Sequence, residues 1–262
     1  MRRVILVALL LWPLGGLARE APRSCQQHFD TGQMPDVAPE QGARARLLCR
    51  GAFALLHSPR TLTPIWVAEH LTPARVRAAD ALTRPNPGPF HPDRNLTPGQ
   101  RSELRDYRGS HFDRGHMAPN GDMPTKRAQT ESFSLANMVP QDPCNNQRLW
   151  RGLEDTVRRV AQDGVELFVI TGPIYAADPP EAIGRGVKVP THIFKAILNT
   201  SNGEAAAYVV LNNHETPVNQ VSIAELADLT GIDVFPVLPE AARRNKARLP
   251  ELNPDLQGCG GQ

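Results

Sequence analysis

Within the run YRGSHFDRGHMAPNGDM, Tyr107 to Met123, stand two histidines, two aspartates, two arginines and three glycines. Imidazole titrates near neutrality, so His111 or His116 could take a proton from water and return it. Guanidinium presents a planar fork of donors that matches phosphate or carboxylate oxygens, which makes Arg114 a partner for an anion held beside His116. Taken alone, Asp113-Arg114-Gly115-His116 is equally the composition of a solvated turn, in which Asp113 caps the chain and pairs with Arg114.

Downstream residues favour chemistry. In NNQRLWRGLEDTVRRVAQDG, Leu149, Leu153, Val157 and Val160 recur at three- and four-residue spacing and Gly164 closes the run, which predicts an amphipathic helix. At about 100° per residue, Asn146, Trp150 and Glu154 fall along one stripe of that helix. A strand bearing His116, a second strand and this helix would form a β-β-α finger with an imidazole on the strand and oxygen donors on the helix. That constellation suits a metal-assisted hydrolase.

The blocks DRGHMAP, LANMVPQ and NQRLWRGLE, in this order, resemble the DNA/RNA non-specific endonucleases of the ββα-metal superfamily, endonuclease G-like and secreted bacterial nuclease-like. HSPRTLTPIWVAEHL upstream, and VITGPIY and VPTHIFKAIL downstream, are similar to family blocks as well, so the resemblance spans most of the chain. It implies that His116 is the general base toward the attacking water and that Asn146 is the direct protein ligand of Mg²⁺, with Mn²⁺ as the alternative metal. Sparse coordination of this kind fits Mg²⁺, which keeps much of its water and substrate oxygen. Glu154 would hold water around the metal, and Asn137 would orient His116. Arg114 and Arg84 are the arginines that would stabilise charge on the phosphorane, with Arg94 as the alternative to Arg84. The implied partners are DNA and RNA, gripped through phosphates, and the implied products carry 5′-phosphate ends.

His111 and His116 lack a third Cys, His or carboxylate at zinc spacing. His57, His70 and His91 read as surface or hydrogen-bonded residues, Trp150 as core, and ARRNKAR (Ala242 to Arg248) as a solvated basic face rather than a phosphate patch. A non-catalytic nucleic-acid-binding protein on the same fold would predict a broken motif. A serine esterase would need a Gly-x-Ser-x-Gly elbow, which is missing.

The positioning elements point to an α+β protein with a mostly antiparallel sheet carrying the ββα-metal finger. TPIWVAEHL alternates as a strand and should begin the sheet; VELFVITG, HIFKAILNT and AAAYVVLNN read as further strands. SFSLANMVPQ reads as a strand stopped by Pro140. Ser222 and Glu225 form a capping box ahead of a short helix ended by Gly231. Residues 72–100, rich in Pro, Arg, Asn and Asp, read as a long surface excursion.

Residues 1–18 have the layout of a secretory signal: Arg2 and Arg3, an apolar run, then small residues ending at Ala18. Residues 19–262 would be a single endonuclease domain, with 25–60 as an N-terminal arm. The expected location is outside the cytoplasm, periplasmic or secreted, without stable membrane association after cleavage. Four cysteines in an exported chain favour disulfides, with Cys25–Cys49 and Cys144–Cys259 as the preferred of three pairings. Removing Arg2 and Arg3 from a formal charge of +2 leaves a neutral chain, so charge neither selects nor excludes a nucleic-acid substrate. A homodimer and a protein inhibitor are left open.

Overall fold

The computed structural model describes residues 19–86, 88–214 and 218–251; the expected export signal and Cys259 lie outside them. Its elements, in chain order, are β1 (Arg46–Cys49), β2 (Ala54–Ser58), β3 (Thr63–Leu71), α1 (Pro73–Asp80), β4 (Asp113–His116), α2 (Lys126–Ser132), β5 (Met138–Gln141), α3 (Arg151–Gln162), β6 (Leu167–Ile174), β7 (His192–Asn199), β8 (Glu204–Leu211), β9 (Val218–Val221) and α4 (Ile223–Thr230), with shorter pieces between.

Seven of these strands form one sheet in the order β9-β8-β7-β6-β3-β2-β1, every neighbouring pair antiparallel. Alternate side chains of a strand point to opposite faces, and the sheet uses both. Ala206, Tyr208 and Val210 of β8 face a core shared with Leu55, Val67, Ile193 and, from α3, Leu153 and Val157. Ala205, Ala207 and Val209 face the opposite core with Trp66, Phe168, Phe194, Ile223 and Leu226. This two-sided burial is why the strands read as nearly continuous apolar runs. The sheet is thus covered by α1, α3 and the finger on one side and by α4 and the N-terminal segment on the other.

Several expectations need correction. The sheet starts at Arg46 rather than Thr63, so an arm reaching residue 60 is too long: RLLC and ALLHS are a hairpin joined by the turn Arg50–Phe53. Residues 72–100 open with helix α1, capped by the Thr72 hydroxyl accepting from the Arg75 amide, before the irregular stretch begins. Within SFSLANMVPQ only Met138–Gln141 is extended, after a turn over Leu135–Asn137. Pro140 lies inside that strand, opposite Arg114 in a two-stranded ribbon, where an edge position spares the missing N–H. The capping box holds in both directions between Ser222 and Glu225, and Gly231 adopts φ 68°, the left-handed region that glycine occupies without strain.

Cys25 and Cys49 are disulfide-bonded, tying the N-terminal segment to β1. Cys144 is disulfide-bonded too, its expected partner lying outside the described residues. Among the described residues no helix is long and apolar enough to cross a membrane.

Candidate active site

Strand β4 pairs antiparallel with β5 in the register Asp113↔Gln141, Arg114↔Pro140, Gly115↔Val139 and His116↔Met138. Gly115 is required by space: a Cβ there would sit 2.0 Å from Oε1 of Gln141. That glutamine in turn donates to Asn145 Oδ1 at 2.7 Å, and Asn145 donates to the Leu211 carbonyl at 2.6 Å, so the ribbon, the helix start and the end of β8 are fastened together. Asp142 Oδ1 accepts from the amides of Cys144 and Asn145 at 2.9 and 3.0 Å, and caps the helix that follows.

The helix opens with a π turn over Asn145–Trp150 before α3 continues it. Two α turns take about 7.2 residues, so eight residues overshoot. One turn closed by i→i+5 bonds absorbs the excess and brings Asn146 and Glu154 to the same cavity. Trp150 leaves the expected stripe, entering the core at 1 % exposure. Burial of a side chain that size and of Leu153 beside it contributes about 1.5–3 kcal/mol each, which anchors the finger helix to the sheet.

The cavity has a volume of about 680 Å³. One wall is the strand side, with Arg84, Phe90, Arg114 and His116; the other is the helix side, with Asn146, Gln147, Arg151 and Glu154, and the segment Pro119–Gly121 closes an end. A second cavity, of about 300 Å³ beside Tyr175 and Leu229, holds none of the expected site residues. Arg94 lines a third, with Arg50 and Asp93, so of the two candidate arginines it is Arg84 that joins His116.

His116 is buried, its Nε2 without a hydrogen-bond partner. Phe133 packs edge-on against its ring at 5.3 Å, and Phe90 lies at 5.7 Å. The Arg114 guanidinium lies 4.1 Å from the Phe90 ring centre and that of Arg84 5.8 Å from Phe133. Burial, with Arg84 and Arg114 adding to it, pushes the His116 pKa down from 6.5 to about 3. The imidazole is therefore neutral across the physiological range, and a neutral buried ring with an unpartnered nitrogen is a proton acceptor. Phe90 and Phe133 were not legible as site residues.

Asn137 does not reach the ring. Its side chain accepts from Ala118 N and donates to Ala118 O and Ser132 O, each at 2.9 Å, fixing the backbone that leaves β4. Asp113 does not pair with Arg114 either: its Oδ2 accepts from Asn146 Nδ2 and Gln147 Nε2, both at 2.8 Å. An amide whose NH₂ is committed to a carboxylate must turn its carbonyl oxygen elsewhere, which leaves Asn146 Oδ1 as a hard oxygen donor. Among the described residues there is no cluster of three or more His, Cys, Asp or Glu able to hold a metal. An ion at Asn146 would therefore keep water and substrate oxygens, as Mg²⁺ does readily.

Under the helix wall lies a buried charge network. Arg158 donates to Asp122 at 2.7 Å and to Asp155 at 2.5 Å, joining α3 to the segment after His116. Arg75 donates to Glu69, to the His70 carbonyl and to the Asp122 carbonyl. Burial raises the Glu154 carboxyl to about 7, with Lys195 and Arg158 opposing. Lys195, on β7, is itself buried, donates to Thr171 Oγ1 at 2.8 Å and lies 5.3 Å from the Trp150 ring centre. A lysine within the apolar HIFKAIL was the available signal for it.

His57, His70 and His91 take bland roles: His57 bonds the Gln100 carbonyl, His91 that of Pro89, and His70 pairs with Glu166 and stacks on Phe168. In ARRNKAR, Arg243, Arg244 and Arg248 are all taken up in ion pairs with nearby carboxylates.

Residues 30–241 match the family described as DNA/RNA non-specific endonuclease. The chain is 32 % identical over 221 residues to the mitochondrial nuclease EXOG of Xenopus laevis, covering 76 % of this chain and 60 % of that one. It is 35 % identical over 182 residues to human mitochondrial endonuclease G, covering 64 % and 60 %. With nuclease C1 of Cunninghamella echinulata var. echinulata the identity is 30 % over 215 residues, covering 75 % and 85 %. The match thus spans about 60 % of the length of the mitochondrial relatives. A solved structure described as an EndoG/EndoGI complex, with a mechanism of EndoG inhibition, superposes with a TM-score of 0.68 at 31 % identity, over 75 % of this chain and 88 % of that one.

Proposed function

Since the chain belongs to the DNA/RNA non-specific endonuclease family, we propose that it hydrolyses internal phosphodiester bonds of DNA and RNA, with Mg²⁺, outside the cytoplasm. The observation that carries the reading is the meeting, in one cavity, of a neutral buried imidazole, two guanidiniums and an oriented amide oxygen.

Each residue has a task that follows from its surroundings. His116 Nε2 accepts the proton of the attacking water, as an unpartnered lone pair can. Arg114 and Arg84, braced against Phe90 and Phe133, present fixed donors to the oxygens on which charge builds, so little reorganisation is needed at the moment of reaction. Asn146 offers Oδ1 to the metal, held in that orientation by Asp113. Mg²⁺ bound there would supply Lewis-acid neutralisation of phosphate charge. Glu154, beside Asn146 in the cavity, accepts hydrogen bonds from surrounding water, and a cation bound nearby would favour its ionised form. Attack of water at phosphorus with departure of the 3′ oxygen, which takes a proton from surrounding water, leaves a 5′-phosphate and a 3′-hydroxyl.

Tolerance of both sugars and of sequence follows if the contacts go to phosphates, because these position a strand but carry no base information. The sequence layout of residues 1–18 and the Cys25–Cys49 bond support export to an oxidising compartment. A protein inhibitor of the kind named for the structural neighbour would here have to cover the cavity between His116 and Asn146.

The test is incubation of purified protein lacking residues 1–18 with plasmid and with structured RNA, in Mg²⁺ and in EDTA, followed by end-group analysis. Metal-dependent degradation of both substrates with 5′-phosphate ends supports the reading. A folded protein that cuts neither substrate with Mg²⁺ or Mn²⁺ overturns it and leaves strand binding without chemistry.

A further inference from the structure

Arg151 stands on the helix wall of the catalytic cavity, exposed, one residue after the π turn that presents Asn146. Its guanidinium makes no hydrogen bond, ion pair or ring contact with any described residue. Of its acidic neighbours, Glu154 lines the same cavity but makes no ion pair with it, and the other two are engaged elsewhere. Asp113 is taken by Asn146 and Gln147, and Asp155 by Arg158, whose guanidinium is itself shared between Asp155 and Asp122. Arg84 and Arg114, the other open guanidiniums of the cavity, lie on the strand wall against aromatic rings. Arg151 therefore faces the same space from the opposite side, with five donors uncommitted.

Arg151 stands five residues beyond Asn146, one π turn along the helix, and so is displaced from it along the same wall. We infer that Arg151 binds the phosphate next to the scissile one, making the helix wall a second phosphate subsite that holds a strand across the cavity. This deepens the hydrolase reading and rests on it. The inference separates two arginine tasks by wall: Arg84 and Arg114 act where charge develops, whereas Arg151 acts on a phosphate that does not react. Such a contact strengthens strand binding equally in the ground and transition states, so its loss falls on KM rather than kcat.

The test compares Arg151→Ala and Arg151→Lys with the parent in two measurements. Equilibrium binding of a short fluorescent single strand is followed against salt in a His116→Ala background, where turnover is absent. Steady-state cleavage is measured on a polynucleotide and on bis(p-nitrophenyl) phosphate, an ester with one phosphate. Arg151→Ala is expected to weaken strand binding about fivefold and to flatten the slope of log affinity against log salt by about 0.7, one phosphate contact on a single strand. Arg151→Lys keeps the charge and so restores most of the slope. On the polynucleotide the loss appears in KM, and it exceeds any loss on the single-phosphate ester by about fivefold, the factor of about one net hydrogen bond. An unchanged salt slope, or equal losses on the two substrates, overturns the inference. If the parent protein cleaves nothing, the hydrolase reading falls, and the salt slope still decides whether Arg151 holds a phosphate.

Discussion

Asn146 donates its side-chain NH₂ to Asp113 Oδ2 at 2.8 Å across the gap between the finger helix and strand β4. This bond decides which end of the amide faces the cavity, and it gives the first residue of the Asp-Arg-Gly-His run a role that its turn-forming chemistry hides. Asp113→Ala frees the amide to rotate. Loss of such an outer partner typically costs 10–100-fold in metal affinity or activity, so half-maximal cleavage should need about that much more Mg²⁺, with part of the rate recovered at saturating metal. An unshifted metal midpoint in Asp113→Ala would show that Asn146 is oriented by something else.

His116 carries a pH prediction. Its folded pKa, pushed down to about 3, lies below the ordinary 6.5. The unfolded chain therefore binds a proton that the native protein refuses between those values, and stability from this group, present above about 6.5, is lost as the pH falls toward about 3. In metal-free protein the His116 ring signal in NMR should keep its neutral shift at pH 5, and Arg84→Met should move its midpoint upward. A midpoint near 6.5 would mean that the ring is open to water.

Glu154 behaves in the opposite sense. Burial lifts its carboxyl from 4.5 to about 7, so the native state holds the proton longer than the unfolded chain. Its contribution is present below about 4.5 and is lost as pH rises through about 7. Glu154→Gln should therefore raise the melting temperature of metal-free protein at pH 8 by a few degrees, about 1–2 kcal/mol, and change it little at pH 4. The same variant should lose nuclease activity. Destabilisation at pH 8 would show that the carboxylate is held charged by its neighbours.

The bond between Cys25 and Cys49 closes a loop of 24 residues in sequence separation. Chain entropy assigns a loop of this size about 3.5 kcal/mol. Cys25→Ser with Cys49→Ser should lower the denaturation midpoint accordingly while kcat on plasmid is retained, since neither cysteine lines the catalytic cavity. A matching fall in kcat would tie the N-terminal segment to the site.

Much of this was legible in the sequence because local periodicity and the motif blocks are short-range signals. The apolar runs of β6, β7 and β8, the helix from Leu149 to Val160 and the Ser222–Glu225 box all follow from neighbours within a few residues. What failed depended on contacts far apart in the chain. Phe133 comes to flank His116 because the chain at His91 bridges to Ser134, and nothing near Phe133 announces that. The choice between Arg84 and Arg94 is made by the path of an irregular stretch with no periodicity to read. Pro140 looked like a strand terminator until its partner across the ribbon was known. The π turn that aligns Asn146 with Glu154 is likewise invisible to a rule that assumes 100° per residue.

The most direct measurement is single-turnover cleavage of a defined duplex by the parent protein, His116→Ala and Asn146→Ala, each with its fold checked, across a Mg²⁺ titration. The account predicts that each variant loses at least about two orders of magnitude in rate, and that the parent's rate collapses in EDTA. If both variants cut at the parent's rate, or if the parent is indifferent to metal, the cavity between His116 and Asn146 is not where the phosphodiester bond is broken.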